Sequence, residues 1–418
     1  MISMQIRRLT MLLFVFVFAG CASQKSIVAD KRLEEKIDQN FSDAAAQYKG
    51  MMRRLPADRF PKTYYAQTDK FQTGASSDWC SGFYPGTLLY LYEQTKDQSL
   101  LLESERILKV LEKEKNNKTT HDLGFMMYCS FGNAERIQPK PAFKDILLTS
   151  ARSLASRFNP KVGCIKSWDK VKSYHGGEWS YPVIIDNMMN LELLFYASKV
   201  TGDSSFRNMA ISHARKTAQN HVRPDYSSYH VVNYDPETGA VKSRETHQGF
   251  SDNSTWSRGE AWGIYGFTMV YRESGEKSFL KTAEGMADFF LAHLPKDTIP
   301  DWDFNVNQSG YTPQWKYDPS KFAEIPKDAS AAAVAASALI ELSQYTNKKQ
   351  SKKYLKAAED ILWALSSPKY KAATGENGNF ILKHSTGSVP AYSEIDVPLT
   401  YADYYFVEAM KRYKELKK

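Results

Sequence analysis

Residues 255–283 read TWSRGEAWGIYGFTMVYRESGEKSFLKTA, and this stretch decides the fold. From Trp256 to Tyr271 apolar and small residues occupy nearly every side of a helical projection, so a helix here has to be buried all round. Ser274 and Gly275 stop it, and a second helical pattern with one polar side follows. This unit of a buried helix, a short turn and a striped helix recurs along the chain. Apolar helices begin near Trp79 (DWCSGFYPGTLLYLYEQ), His121 (HDLGFMMYCSFG), Asp186 (DNMMNLELLFYASKV), Trp256, Asp328 (DASAAAVAASALIELSQY) and Tyr401 (YADYYFVEAMKRY), at spacings of about 42, 65, 70, 72 and 73 residues. Turns similar to SGEKSFLKTA follow three others: TKDQSLL, TGDSSFRNMA and TNKKQSKKYLKAA.

Six helices buried on all sides, alternating with about six striped ones, predict an inner ring wrapped by an outer ring. The fold class is therefore all-α: an (α/α)6 double barrel of six helical hairpins in one domain, residues 46–418. Longer segments (160–185, 222–250 and 296–327) carry Gly, Pro and aromatics and read as loops and short β-hairpins at one end. Within them NYDPETG (233–239) is a turn between Val/Tyr-rich strands. Polar residues heading the inner helices then converge on one mouth, where a site is expected.

The N-terminus is a targeting segment. Arg7 and Arg8 precede an apolar run, MLLFVFVF (11–18), and Phe18-Ala19-Gly20-Cys21 resembles a bacterial lipoprotein cleavage box. Residues 1–20 are expected to be removed, leaving a lipidated Cys21, with residues 21–45 as tether and lead-in; the run is too short to span a membrane. The expected location is the cell envelope. The absence of an acidic cluster after Cys21 favours the periplasmic side over the outer surface, with membrane contact only through the lipid.

Removing residues 1–20 deletes Arg7 and Arg8 and no acid, so the formal charge falls from +8 to +6, a modest excess that helps attract anions. The Lys and Arg residues are scattered, which excludes a nucleic-acid surface. With 42% apolar and 24% charged residues, disorder is excluded too. Cys80, Cys129 and Cys164 are too widely spaced for a disulfide framework or a zinc site, and no metal or organic cofactor is expected. Aromatics are in excess (25 Tyr, 22 Phe, 8 Trp), enough to line a cleft that stacks flat ligands such as sugars. Nothing here sets the oligomeric state.

Two carboxylates head inner helices: Asp122, beside His121 in HDLGF, and Asp186 in IIDN. Asp is a preferred N-cap, and capping is the bland reading of each. Paired at one mouth among aromatics, they could instead divide acid and base work on a glycoside, if burial raises one pKa and leaves the other carboxyl ionised. In THQGFSDNSTWSRGEAWG (246–263), Trp256 and Trp262 flank Arg258, a fixed cation between two stacking planes suited to a sugar carboxylate. An Arg258 paired structurally with Glu260 or Asp252 is the alternative. His230, in YHVVNYDPETG, lies on the probable hairpin, where structural histidines are common.

HDLGF, IIDNMMN, HVVNYDPETG, HQGFSDNSTWSRGEAWGIYG and PDWDF (300–304) together resemble the unsaturated glucuronyl hydrolases of glycoside hydrolase family 88, from about Trp79 to the C-terminal helix. The resemblance implies the same six-hairpin barrel. It makes Asp186 the general acid/base and Asp122 the second essential carboxylate. It places Gln248, Arg258, Trp256, Trp262, His230, His121 and Thr246 in the sugar pocket, with Trp79 stacking at its edge. Ser385, Ser388 and Ser393 fall where contacts to the second sugar or to sulfate would lie. The chain has Pro398-Leu399-Thr400-Tyr401-Ala402-Asp403 where many members carry a glycine before the aspartate.

The implied substrates are acidic oligosaccharides released by polysaccharide lyases, which end in a 4,5-unsaturated uronic acid. Chondroitin, hyaluronan, heparin, ulvan, gellan and xanthan would all supply this end group. The implied chemistry is protonation at C4 and hydration at C5. Two other classes stay open: a conventional glycosidase or lyase for acidic sugars, distinguished by cleavage of saturated uronosides, and a non-catalytic glycan-binding lipoprotein.

Overall fold

The computed structural model describes residues 30–416, so the signal segment, Cys21 and residues 22–29 of the tether lie outside the described residues. In chain order the helices are α1 (Lys31–Arg54), α2 (Phe83–Thr95), α3 (Gln98–Leu111), α4 (Asn133–Ile137), α5 (Pro141–Ala155), α6 (Leu191–Thr201), α7 (Ser204–Asn220), α8 (Ser257–Ser274), α9 (Lys277–Ala292), α10 (Ala329–Leu342), α11 (Lys348–Leu365) and α12 (Thr400–Glu415). The even-numbered helices form the inner ring, with residues 124–132 bridging α4 to α6 and α12 closing onto α2. Every residue of α10 is buried, and its run of alanines lets it sit between α8 and α12. Odd-numbered helices show the expected single apolar stripe and wrap the outside.

The turns between partners work as their sequences imply. Gly202 and Gly275 take left-handed φ at the ends of α6 and α8. Asp97, Asp203 and Asn347 cap α3, α7 and α11 by accepting backbone N–H groups. Among the described residues nine short strands, β1 (Phe60–Tyr65), β2 (Lys70–Gly74), β3 (Phe158–Asn159), β4 (Cys164–Ile165), β5 (Pro182–Ile184), β6 (Val231–Tyr234), β7 (Val241–Glu245), β8 (Ser385–Ser388) and β9 (Ser393–Val397), lie in the connections. The turn at 233–239 joins β6 to β7, and β5 adds to them in an antiparallel three-stranded sheet.

Three features differ from the sequence reading. The lead-in placed ahead of residue 46 is helical from Lys31 and belongs to the barrel. Its stripe of Leu33, Ile37, Phe41, Ala44, Tyr48 and Met51 is buried, and the Asp30 N–H donates to the Tyr413 hydroxyl on α12 at 2.8 Å. So α1 is the outer partner of the last inner helix, and the sixth hairpin closes between the two ends of the described chain.

The second inner helix does not start as an α-helix at His121. It begins as a π-helical segment, Gly124–Gly132, that runs into α4. Gly82 and Gly86, one turn apart on α2, allow it to sit against that segment: a Cβ on either would lie 2.2 or 2.3 Å from the carbonyl oxygen of Phe125 or Cys129. The third inner helix is entered through a 3-10 turn, Ile185–Asn190, so Asp186 precedes α6 by most of two turns.

Candidate active site

These two irregular helix starts form one wall of the mouth. Gly124 abuts Asn190, where an added Cβ would lie 2.4 Å from the Asn190 Cα, and the Phe125 N–H donates to Asn190 Oδ1 at 2.9 Å. Ser167 joins the same two segments. Its carbonyl accepts the His121 Nδ1–H at 2.9 Å, while its hydroxyl accepts the Ile184 N–H at 2.9 Å and donates to Asn187 Oδ1 at 3.1 Å. Asp122 and Asp186 therefore stand on a fixed frame, each side chain 13% exposed.

Neither carboxylate caps its helix. Asp122 Oδ2 accepts from the Thr120 hydroxyl at 2.8 Å, and its Oδ1 faces His121 Nε2 at 3.2 Å. Nδ1 is committed to Ser167, and His121 Nε2 has no hydrogen-bond partner among the described residues. Asp186 Oδ2 is buried with no hydrogen-bond partner among the described residues. His230 Nε2 lies 3.9 Å away, too long for a hydrogen bond. His230 Nδ1 accepts the N–H groups of His247 and Gln248, both at 3.1 Å, so Nε2 carries the proton. Burial holds this imidazole well below its ordinary pKa, which keeps it a neutral donor.

Burial also pushes the Asp186 carboxyl up to about 7, against the pull of the Arg258 charge and with a further push from Asp122. A carboxyl with a pKa raised toward neutrality, one unpartnered oxygen and a cavity before it can give and take a proton.

The cavity measures about 150 Å³ and is lined by Trp79, His121, Asp122, Trp168, Ile184, Asp186, Gln248, Trp256, Arg258, Gly387, Ser388, Glu394 and Tyr401. His230 lies directly behind, its ring 4.7 Å from that of Trp256. Trp168 stacks on Trp179 and meets His121 and His230 edge-on, so one indole aligns both histidines.

Arg258 departs from both readings of it. It pairs with neither Glu260 nor Asp252 but with Asp328, 70 residues away, at 2.6 Å. Its Nη1 and Nη2 also donate to the carbonyls of Thr386 and Gly387 on β8. The guanidinium lies between Trp256 (4.5 Å) and Tyr401 (5.3 Å), not between Trp256 and Trp262. Trp262 is fully buried one turn deeper, against Phe125 and Tyr405. Its place in the sugar pocket is thereby corrected, because a turn carries the side chain about 5.4 Å down the barrel axis.

Thr246 is likewise absent from the lining. It is buried, accepts the Gly249 N–H at 2.8 Å and donates its own N–H to Asp252 at 2.9 Å, closing the turn that presents Gln248. Of the three serines, Ser388 lines the cavity, Ser385 is buried behind it, and Ser393 is exposed at the start of β9.

Trp168, Glu394 and Tyr401 were missed by residue. Tyr401 heads an inner helix as Asp186 does, so the same positional logic could have found it; Glu394 sits on a hairpin with no motif. A second cavity, about 370 Å³, opens at the far end of the inner ring. Its half-buried Glu192 pairs with Arg272, and its buried Glu408 lies 3.7 Å from Arg412, so both carboxyls face a cation.

A helical barrel whose mouth gathers two uncapped carboxyls, neutral histidines and indoles has the makings of a hydrolase for a single polar ring. The chain belongs to Glycosyl Hydrolase Family 88, whose model matches residues 52–416. An unsaturated glucuronyl hydrolase from Formosa agariphila is 42% identical over 405 residues, covering 96% of each chain. A solved unsaturated glucuronyl hydrolase specific for heparin superposes with a TM-score of 0.84 at 44% identity, over 92% of this chain and 98% of that one. The solved enzyme from Bacillus sp. GL1, responsible for glycosaminoglycan degradation, gives 0.81 at 31% identity over 90% and 96%. The protein is a glycoside hydrolase of the unsaturated glucuronyl hydrolase type, and the (α/α)6 barrel is its family's fold.

Proposed function

We propose that this enzyme removes the 4,5-unsaturated uronic acid from the non-reducing end of lyase-generated acidic oligosaccharides, glycosaminoglycan fragments in particular, with Asp186 as the proton donor. The observation that carries the reading is the Asp186 carboxyl in the mouth, its Oδ2 buried and unpartnered and its pKa pushed up to about 7. The unsaturated sugar is a vinyl ether. Transfer of the Asp186 proton to C4 leaves positive charge at C5 shared with the ring oxygen. The carboxylate so formed then takes a proton from water as that water adds to C5. The resulting hemiketal opens and releases the remaining sugar, so one carboxyl serves both steps. Asp122 lies on the same wall, where its charge stabilises the cation, and the neutral His230 Nε2–H faces Asp186 throughout. Trp79, Trp168 and Trp256 offer stacking faces, and Gln248, Ser388 and Tyr401 offer neutral donors.

Turnover in isotopically heavy water tests the route. Deuterium at C4 and heavy oxygen at C5 of the released uronate are expected. Heavy oxygen at the anomeric carbon with no deuterium at C4 would make this a conventional glycosidase.

Two further parts of this reading rest on sequence alone: acylation at Cys21 and an envelope location on the periplasmic side. The supporting observation is the order of residues 7–21, and mass spectra of the membrane fraction should show an acylated N-terminal peptide. An unmodified soluble product lacking Cys21 would remove both.

A further inference from the structure

The β8–β9 hairpin has two faces, and only one borders the catalytic cavity. Gly387, Ser388 and Glu394 line that cavity, whereas His384, Tyr392, Ile395 and Asp396 line a second, larger groove of about 690 Å³. The opposite bank is residues 321–327, with Lys369 and Tyr370 beside it. At about 150 Å³ the catalytic cavity is smaller than pockets that enclose whole drug-sized ligands, so it accommodates little beyond one terminal ring. The rest of an oligosaccharide has to cross the rim, and the hairpin is the part of the rim that this groove shares.

We propose that the groove is a second glycan-binding site, holding the trailing sugars of an acidic oligosaccharide while its terminal sugar occupies the catalytic cavity; this rests on the substrate reading above. Phe322, Ile325, Tyr392 and Ile395 supply apolar surface, and Lys321 supplies a cation at its edge for a uronate or sulfate group, while Lys327 and Lys369 are paired with Asp297 and the acids Glu324 and Asp396 share the lining. Tyr392 is 38% exposed yet fixed: its hydroxyl donates to the Lys316 carbonyl at 3.0 Å and accepts the Asp318 N–H at 3.1 Å. Its ring runs parallel to that of Phe322, at 3° and 6.4 Å, and the Lys321 ammonium lies 3.9 Å from its centre. A rigid, exposed aromatic pair beside the Lys321 cation suits the apolar faces of an anionic sugar chain.

The hairpin backbone is strained where it serves this face. His384, Tyr392 and Asp396 take φ of +59°, +49° and +55°, and Glu394 on the cavity side takes +56°. Residues other than glycine seldom adopt such conformations, which persist where the surroundings over-determine them and cluster at binding sites.

The test uses di-, tetra- and hexasaccharides from one glycosaminoglycan lyase digest, with turnover of the full chain followed by loss of uronate ultraviolet absorbance. KM for the tetrasaccharide should lie about fivefold or more below that for the disaccharide, with kcat unchanged. Phe322→Ala, and independently the exposed Lys321→Glu, should bring the two KM values within about twofold while disaccharide turnover persists. A wild type indifferent to chain length, or variants that keep its preference, would overturn the proposal. If no member of the series is turned over, the catalytic reading fails instead. Calorimetric titration of the full chain with the tetrasaccharide then decides the groove: weaker binding by Lys321→Glu supports it, and unchanged binding rejects it.

Discussion

Asp186 and Asp403 are both carboxyls at the mouth end of an inner helix, the first largely and the second fully buried, and burial pushes each to about 7. Their surroundings differ completely. Asp403 accepts the N–H groups of Ile381 and Leu382, both at 2.9 Å, and faces the Tyr48 hydroxyl at 3.3 Å. Asp186 Oδ2 has no partner and faces a cavity. A raised pKa therefore does not identify a catalytic acid by itself. What separates the two is whether the acceptor atoms are already used. Asp403 holds the loop after α11 against the barrel, and Asp186 keeps an oxygen free for chemistry.

Removing the Asp186 proton should break this comparison most severely. Asp186→Asn keeps the shape and loses the transferable proton, so kcat should fall roughly 10³-fold or more, within the range ascribed to general acid–base catalysis and its accompanying electrostatics. In the wild type, kcat/KM should decline above about pH 7, where the acid ionises. Stability falls in the same direction. The folded carboxyl titrates near 7 and the unfolded one near 3.9, so the stability present below pH 4 is lost as pH rises through 7. Asp186→Asn lacks that slope and should melt higher than wild type at pH 8. A variant that keeps its turnover would move the acid elsewhere; one that melts lower at pH 8 would show Asp186 to be structural, as Asp403 is.

The inner ring was legible because helices buried on every side have to be apolar on every side, and only burial explains sequences such as that of α10. The carboxyl pair was legible because position at the head of such a helix specifies the mouth. Helix α1 was not, since its stripe follows polar residues that also read as a tether, and its partner α12 lies at the other end of the sequence. Arg258 shows the same limit. Its neighbours in sequence suggested Trp262 and Glu260, whereas Asp328 and the β8 carbonyls reach it through the fold. Spacing along one helix fixes a face; it does not fix the depth at which a side chain meets the cavity.

Arg258 offers the intermediate effect. Arg258→Ala leaves Asp328 buried without its cation and frees the β8 carbonyls, which should cost about 3–5 kcal/mol of stability. Turnover of what remains folded should fall by roughly tenfold as the Gly387 wall loosens, for the uronate and its methyl ester alike. Kinetics with the acid and the ester separate the roles, since a wild-type preference for the acid that disappears in the variant would make Arg258 the reader of the substrate carboxylate.

Asp403→Asn should have the smallest effect on activity. An Asn side chain offers one acceptor oxygen where Asp403 uses two, and its amide would point at a backbone N–H of Ile381 or Leu382. One buried donor is left unpaired, at about 1–3 kcal/mol, read as a lower denaturant midpoint with an unchanged slope. The catalytic wall is built from residues 121–125 and 185–190 and does not use Asp403. At a temperature where the variant stays folded, kcat/KM should therefore remain within about twofold of wild type, the scatter usual for substitutions remote from a site. Taken with Asp186→Asn, the pair forms a double dissociation: one variant loses turnover and keeps its fold, the other loses stability and keeps turnover. If Asp403→Asn lowered kcat as Asp186→Asn does, partner saturation would not distinguish structural from catalytic carboxyls in this barrel, and the assignment of Asp186 would lose its main physical support.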